Sequence, residues 1–207
     1  MKCVDIPAFL REDHEPKTRC ERLSAALGGF QCENESVAPG ISPGIIALDE
    51  PLVRYLLEDH IEEMPDGSKA VKPNAFSHAG TNGMSVDRRR HISNTHAAAE
   101  VARNYVGYVL ATCANIRDIQ AEGKRCFAVY DTALNINPAH ADICQCVFAP
   151  KSQQAKYRRR LKDVFDRFPT PFEELSKSQE YLPTPPRSLC KVLVDRLKSL
   201  FRRRSAG

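Results

Sequence analysis

Tryptophan is absent from the 207 residues, so nine Phe and six Tyr supply the aromatic bulk of any core. No apolar run approaches the roughly 20 residues that a membrane-crossing helix needs. The opening MKCVDIPAFLREDHEP carries charges from Asp5 to Glu15, which leaves no uninterrupted apolar stretch for a secretory signal. The expected setting is therefore the cytoplasm. A CxxC knuckle is also missing. Of eight Cys, only Cys144 and Cys146 lie close together, while Cys3, Cys20, Cys32, Cys113, Cys126 and Cys190 stand alone. That spacing excludes the usual structural zinc sites and predicts reduced, mostly buried thiols with no disulfide. Gly80 and Gly83 fit neither GxGxxG nor a P-loop, and no GxSxG elbow occurs. His91 and His96 are five apart, not the four of a helical zinc pair, so neither a metal nor a cofactor is assigned.

What is present is an asymmetry of charge. From Lys151 onward there are 15 Lys and Arg against 6 Asp and Glu, a balance of +9. The first 150 residues hold 15 against 20, a balance of −5. A mildly acidic body with a strongly basic tail points to an anionic partner, or to a tail that folds back on the body.

The chain divides by pattern into three parts: 1–44, a weakly ordered N-terminal extension and linker; 45–168, the folded body; and 169–207, a proline-rich linker with a basic amphipathic helix. A short helix over Thr18–Leu27 ends at Gly28 and Gly29. Pro51 suits the first residue of an element, but VRYLLEDHI satisfies both helical and strand spacing. Asp66-Gly67 marks a turn tip. GMSVDR reads as a strand with Met84 and Val86 on one face and Ser85 and Asp87 on the other. VGYVLATC, RCFAVYD and ADICQCVF are further strands, with Val86, Ile143 and Val147 expected in the core. ANIRDIQAEG reads as a short helical connection ended by Gly123. A helix is expected over about 95–106, and another over SQQAKYRRRLKDVFDRF, with Tyr157, Leu161, Val164, Phe165 and Phe168 on one face. Helices and strands intermix without a βαβ repeat, so the fold class is α+β: a small mixed sheet with flanking helices and basic C-terminal helices.

Three constellations carry chemistry. His140, Asp142, Cys144 and Cys146 share one face of a strand, but the first and last lie about 20 Å apart at 3.3 Å per residue, too far for one ion. His140 and Asp142 sit at a turn-to-strand junction after Pro138, where a carboxylate can hold a histidine in the tautomer of a general base. Ser85 lies on the polar face of its strand, beside Arg88, Arg89 and Arg90, whose guanidinium groups suit bidentate phosphate binding. In the terminal helix, Leu189, Leu193, Leu197, Leu200 and Phe201 form an apolar stripe flanked by Arg202, Arg203 and Arg204, a pattern that suits nucleic-acid phosphates, an acidic protein groove or peripheral contact with an anionic membrane.

Two functions stay open at this point. One is a cytoplasmic binding or regulatory protein that engages nucleic acid, nucleotide or an anionic surface through its basic C-terminal part. The other is a small transferase or hydrolase for a nucleotide or phosphorylated substrate, with Ser85, His140 and Asp142 as reacting groups and Arg88 and Arg89 as phosphate ligands. The order of Arg54 on a first strand, Ser85 on a middle strand and Asp142 on a late one is similar to an ADP-ribosyltransferase-like cleft, an analogy of fold alone. The two readings part on whether Ser85, Arg88, His140 and Asp142 converge.

Overall fold

The computed structural model describes residues 1–12, 15–28, 31–33, 36–38, 40–92, 105–148, 151–166 and 169–171. All fall in one compact unit, Met1–Ser176. The terminal helix with Arg202–Arg204, residues 95–104 of the helix expected over 95–106 and Phe168 lie outside the described residues, and Tyr105 and Val106 are not helical.

Five strands form the main sheet: β1 (Pro51–Leu56), β4 (Met84–Arg88), β5 (Gly107–Thr112), β8 (Phe127–Asp131) and β9 (His140–Gln145), in the order β5-β1-β4-β9-β8. Two hairpins stand beside it. One pairs β2 (Ile61–Glu63) with β3 (Lys69–Val71), and the other pairs β6 (Gln120–Ala121) with β7 (Lys124–Arg125). Every pairing is antiparallel, so the chain mixes helices with strands while the strands do not mix in direction. The α+β architecture with flanking helices is as expected. β1 resolves the ambiguity of VRYLLEDHI in favour of a strand that starts at Pro51. The turn at Asp66-Gly67 closes the β2–β3 hairpin with Gly67 at φ +79°. Only Cys113–Arg117 (α3) of the expected connection is helical, because Glu122 and Gly123 both adopt positive φ and turn the rest into the β6–β7 hairpin.

Alternation along the strands splits the sheet into two faces. The inner face carries Leu52, Leu56, Met84, Val86, Val109, Val129, Ala141 and Ile143. Against it pack a 3₁₀ helix (Pro73–Gly80) through Ala75, Phe76 and Ala79, and α4 (Lys151–Val164) with Tyr157 and Leu161. Phe165 follows α4 and meets the Phe76 ring at 5.1 Å. Tyr157, Leu161 and Phe165 lie on one helical face at spacing four, which turns the basic residues between them outward. Val147 departs from expectation: β9 ends at Gln145, and Val147 is half-buried beyond it.

The outer face is covered at its two ends. At the β8–β9 end, α1 (Ile6–Glu12) and α2 (Arg19–Ala26) bring Ile6, Leu10, Cys20 and Leu23 against Ala128, Tyr130 and Cys144. This corrects the weakly ordered N-terminal extension: those residues complete a core on the face that β8 and β9 leave apolar. At the β1–β5 end, Val53, Tyr55 and Tyr108 pack with Ile92 and Ala139. Cys3 and Cys32 are joined by a disulfide, which overturns the expectation of none. Spacing rules for neighbouring Cys are silent on a pair 29 apart, and here the chain's return past α1 brings the two Cα atoms to 5.3 Å.

Candidate polar site at the centre of the sheet

Between the two apolar clusters the outer face turns polar. β4 and β9 are central strands, and their register sets Ser85 opposite Asp142 and Asp87 opposite His140. Residues opposed in this way have Cβ atoms about 4.5–5.5 Å apart, and diagonal neighbours such as Ser85 and His140 come within about 8 Å. Three of the expected groups, Ser85, His140 and Asp142, therefore share one strip. Gly83, at φ +92°, admits the approach of Asp142: a Cβ there would lie 3.2 Å from Asp142 Oδ1.

Thr132, which sequence reasoning missed, joins the acid to the imidazole. Its buried hydroxyl donates to Asp142 Oδ2 at 2.8 Å. Its Oγ1 also lies 2.8 Å from His140 Nδ1, and its carbonyl oxygen lies 3.3 Å from the same nitrogen. A carbonyl can only accept, and the one hydroxyl proton is already given to Asp142, so Nδ1 carries the hydrogen. Nε2 of the neutral ring is then a bare acceptor, with no hydrogen-bond partner among the described residues. His140 Nδ1 and Asp142 Oδ2 are 3.9 Å apart, so the hydroxyl mediates between them. The order Asp142, Thr132, His140 fixes the tautomer of the ring and leaves Nε2 as an acceptor.

The turn that presents His140 is braced from below. Asn137 donates through Nδ2 to Asp87 Oδ1 at 2.8 Å, and Tyr55 donates its hydroxyl to Asp87 Oδ2 at 2.9 Å. Asn137 Oδ1 accepts from the Ala139 backbone N–H at 3.1 Å. Asp87 is buried, and these bonds tie the loop before β9 to β1 and β4.

Arg54 starts from the inner alternation, with Leu52 and Leu56, and comes to the edge of this strip where the β1–β4 pairing ends. The β1–β4 register ends at Val53↔Asp87. Past that point Arg54 Nη1 donates to the Ser85 carbonyl at 3.0 Å, and Nε donates to the Ala75 carbonyl at 3.2 Å. The guanidinium thus stands where the ladder opens, and its Nη2 donors make no hydrogen bond among the described residues. Burial lowers its pKa from the ordinary value, and the charges of Tyr105 and Asp142 oppose that shift. It stays a cation, as arginine does. Partial burial, then the Arg54 charge, hold His60 and His78 below the ordinary histidine pKa, with Asp59 opposing at His60.

The other arginines are placed differently. Arg88 cannot serve a substrate. It is 2% exposed, and its five N–H donors go to Glu50 through Nε (2.8 Å) and Nη2 (2.9 Å), to Asp131 (2.8 Å) and the Gly44 carbonyl through Nη1, and to the Ile45 carbonyl through Nη2. In step with Met84 and Val86 and opposite Leu52, it belongs to the inner alternation, away from Ser85. Arg89 lies half-buried in the turn after β4, and Arg90 pairs with Asp49 at 2.8 Å on the surface. A cavity of about 480 Å³ lined by Glu33, Ile45, Leu48, Arg117 and Arg125 opens elsewhere. Its arginines are bound to Glu33, whose Oε1 also accepts the Val129 N–H of edge strand β8 at 2.6 Å. No group of three or more His, Cys, Asp or Glu side chains among the described residues is arranged to hold a metal ion. No described helix is long and apolar enough to cross a membrane.

Comparison with protein-family models, with curated proteins and with solved structures finds no match to this chain.

Proposed function

We propose that the protein is a small transferase or hydrolase for a nucleotide or phosphorylated substrate, working at the central polar strip. The observation that carries this reading is the linkage Asp142–Thr132–His140, which leaves Nε2 without a hydrogen-bond partner among the described residues, while Arg54, bonded to the Ser85 carbonyl, keeps unused donors. In this reaction Nε2 takes the proton of an attacking water or acceptor hydroxyl, and that oxygen bonds to the electrophilic centre of the substrate. The anionic leaving group departs with the electron pair of the broken bond, held by Arg54. Ser85, exposed and diagonal to His140, lines the path of the attacking group. The strand order Arg54, Ser85, Asp142 keeps the ADP-ribosyltransferase-like cleft as the form of analogy to test first, so NAD belongs among the trial substrates.

The test offers NAD, ATP and a simple phosphate ester to the full chain, follows products by chromatography, and titrates ADP by calorimetry. His140→Gln is expected to lower turnover by about 10²–10⁴, and Arg54→Ala to abolish ADP binding. Turnover indifferent to His140→Gln, or equal ADP affinity in wild type and Arg54→Ala, would remove the reading.

A second reading is a binding or regulatory protein that engages an anionic partner through the basic C-terminal part. What favours it is α4: Tyr157, Leu161 and Phe165 fasten its apolar face to the core, while Lys156 and Arg159 stand exposed. The cytoplasmic setting stays a proposal beside the Cys3–Cys32 bridge, since such bridges persist mainly in oxidising compartments. Thiol titration of protein drawn from a reducing extract decides it.

A further inference from the structure

The 3₁₀ helix Pro73–Gly80 separates two places where an anion can sit. In a 3₁₀ helix residues i and i+3 eclipse, so Asn74 and Ser77 share one flank while Ala75 and His78 share another. The first flank meets α4: Asn74 and Ser77, with Pro73, Ala155, Arg158 and Arg159, line a groove of about 270 Å³. On the second flank Ala75 is buried in the inner core, its carbonyl holds Arg54, and the exposed His78 feels the Arg54 charge. A helix with its side chains is on the order of 10 Å across. One ligand that uses both flanks therefore needs phosphates separated by about that distance, more than adjacent phosphates of a single nucleotide provide.

We propose that the substrate of the central site is a nucleic-acid strand, whose backbone lies in the α4 groove on Arg158 and Arg159 and crosses the 3₁₀ helix to reach Arg54. This rests on the central-site reading above and names its substrate class. Charge complementarity selects a polyanion. Lys156 and Arg159 are exposed on α4 and Arg158 is half-buried in the groove, with Asp163 the one exposed acid on the helix. Asp166, just beyond, is occupied by the Leu110 N–H at 3.0 Å. Ser77 adds a hydroxyl donor and Asn74 an amide, the neutral groups that commonly accompany arginine at phosphates. Arg158 and Arg159 thus bring two guanidinium groups to a groove whose other lining side chains are Pro73, Asn74, Ser77 and Ala155.

The test measures fluorescence anisotropy of labelled 12-nucleotide RNA and DNA single strands with the full-length protein at 50 and 200 mM NaCl. Each phosphate contact contributes about 0.7 to the slope of log affinity against log salt for single strands. Arg158→Ala/Arg159→Ala should therefore flatten the slope by about 1.4, and Arg54→Ala by about 0.7. Lys124→Ala, on the β6–β7 hairpin, should leave the slope intact, and Arg158→Lys/Arg159→Lys should retain most of it. Melting curves by circular dichroism establish that each variant is folded. No strand binding by wild type at 50 mM, or equal slopes in wild type and the double Ala variant, overturns the proposal. So does binding confined to vesicles of anionic phospholipid. Failure of the central-site reading would look different: ADP affinity unchanged by Arg54→Ala.

Discussion

Arg54 and Arg88 start from neighbouring strands and end in opposite roles, because their surroundings differ in unsatisfied groups. Arg88 sits between Glu50 and Asp131 with all five donors used, so its charge is structural. Replacing one partner of a buried ion pair strands the others without compensation, at about 3–5 kcal/mol. Arg88→Met should thus lower urea-denaturation stability by that amount and leave the ADP affinity per folded molecule unchanged. Arg54 spends two donors on carbonyls and keeps the rest, so its removal should be felt in binding first. On the proposed function Thr132 would be a positioning residue: it touches His140 and Asp142, not the reacting atoms. Thr132→Val keeps its shape and removes the hydroxyl, leaving Asp142 and the imidazole short of a partner at a cost of about 1–3 kcal/mol. Turnover should fall with it and return in Thr132→Ser. A valine variant as active as wild type would show that the hydroxyl does not hold the base.

At the scale of elements, legibility followed locality. β4 and β9 announce themselves by alternation within six residues, and the same alternation puts Ser85, Asp87, His140 and Asp142 on one face. That they lie side by side needed the register Ser85↔Asp142, which no local pattern encodes. Thr132 and Asn137 were invisible for the same reason: each acts across a turn or a strand pair. α2 was expected over Thr18–Leu27, but α1 and the packing of both were missed because Ile6, Leu10, Cys20 and Leu23 are shared between two short helices, neither long enough to display a period. Their anchorage has a measurable consequence. Linking Cys3 to Cys32, a separation of 29, removes unfolded-state freedom worth about 3–4 kcal/mol on the chain-entropy account. Cys3→Ser/Cys32→Ser should lose stability of that order, and reductant should shift the wild-type melting temperature but not that of the variant. Equal melting of wild type with and without reductant would deny the bridge a stabilising part.

Across the whole molecule, acid should act on stability and on ligand affinity in opposite directions, through the same side chains. His60, His78 and His91 are all held below the ordinary histidine pKa, by partial burial first and by arginine second: Arg54 for His60 and His78, Arg88 for His91. The unfolded chain then binds protons that the folded chain refuses. Stability is full above the unfolded value near 6.5 and declines as pH falls below it, because the side with more bound protons gains. Urea denaturation at pH 7.5, 6.5 and 5.5 should show this decline. Ligand binding reverses the balance at two of the three sites. An anion on Arg54 offsets the charge that depresses His60 and His78, so both hold a proton more readily in the complex. By linkage, binding must then take up protons, and affinity must rise as pH falls through the range where those histidines titrate. Calorimetry of ADP binding at pH 6 in two buffers of different ionisation enthalpy reads the uptake directly. The expected result is a buffer-dependent enthalpy in wild type that shrinks in a His60→Gln/His78→Gln variant and leaves the affinity of that variant flat with pH. Identical enthalpies in both buffers for wild type would break the link between these histidines and the anion at Arg54.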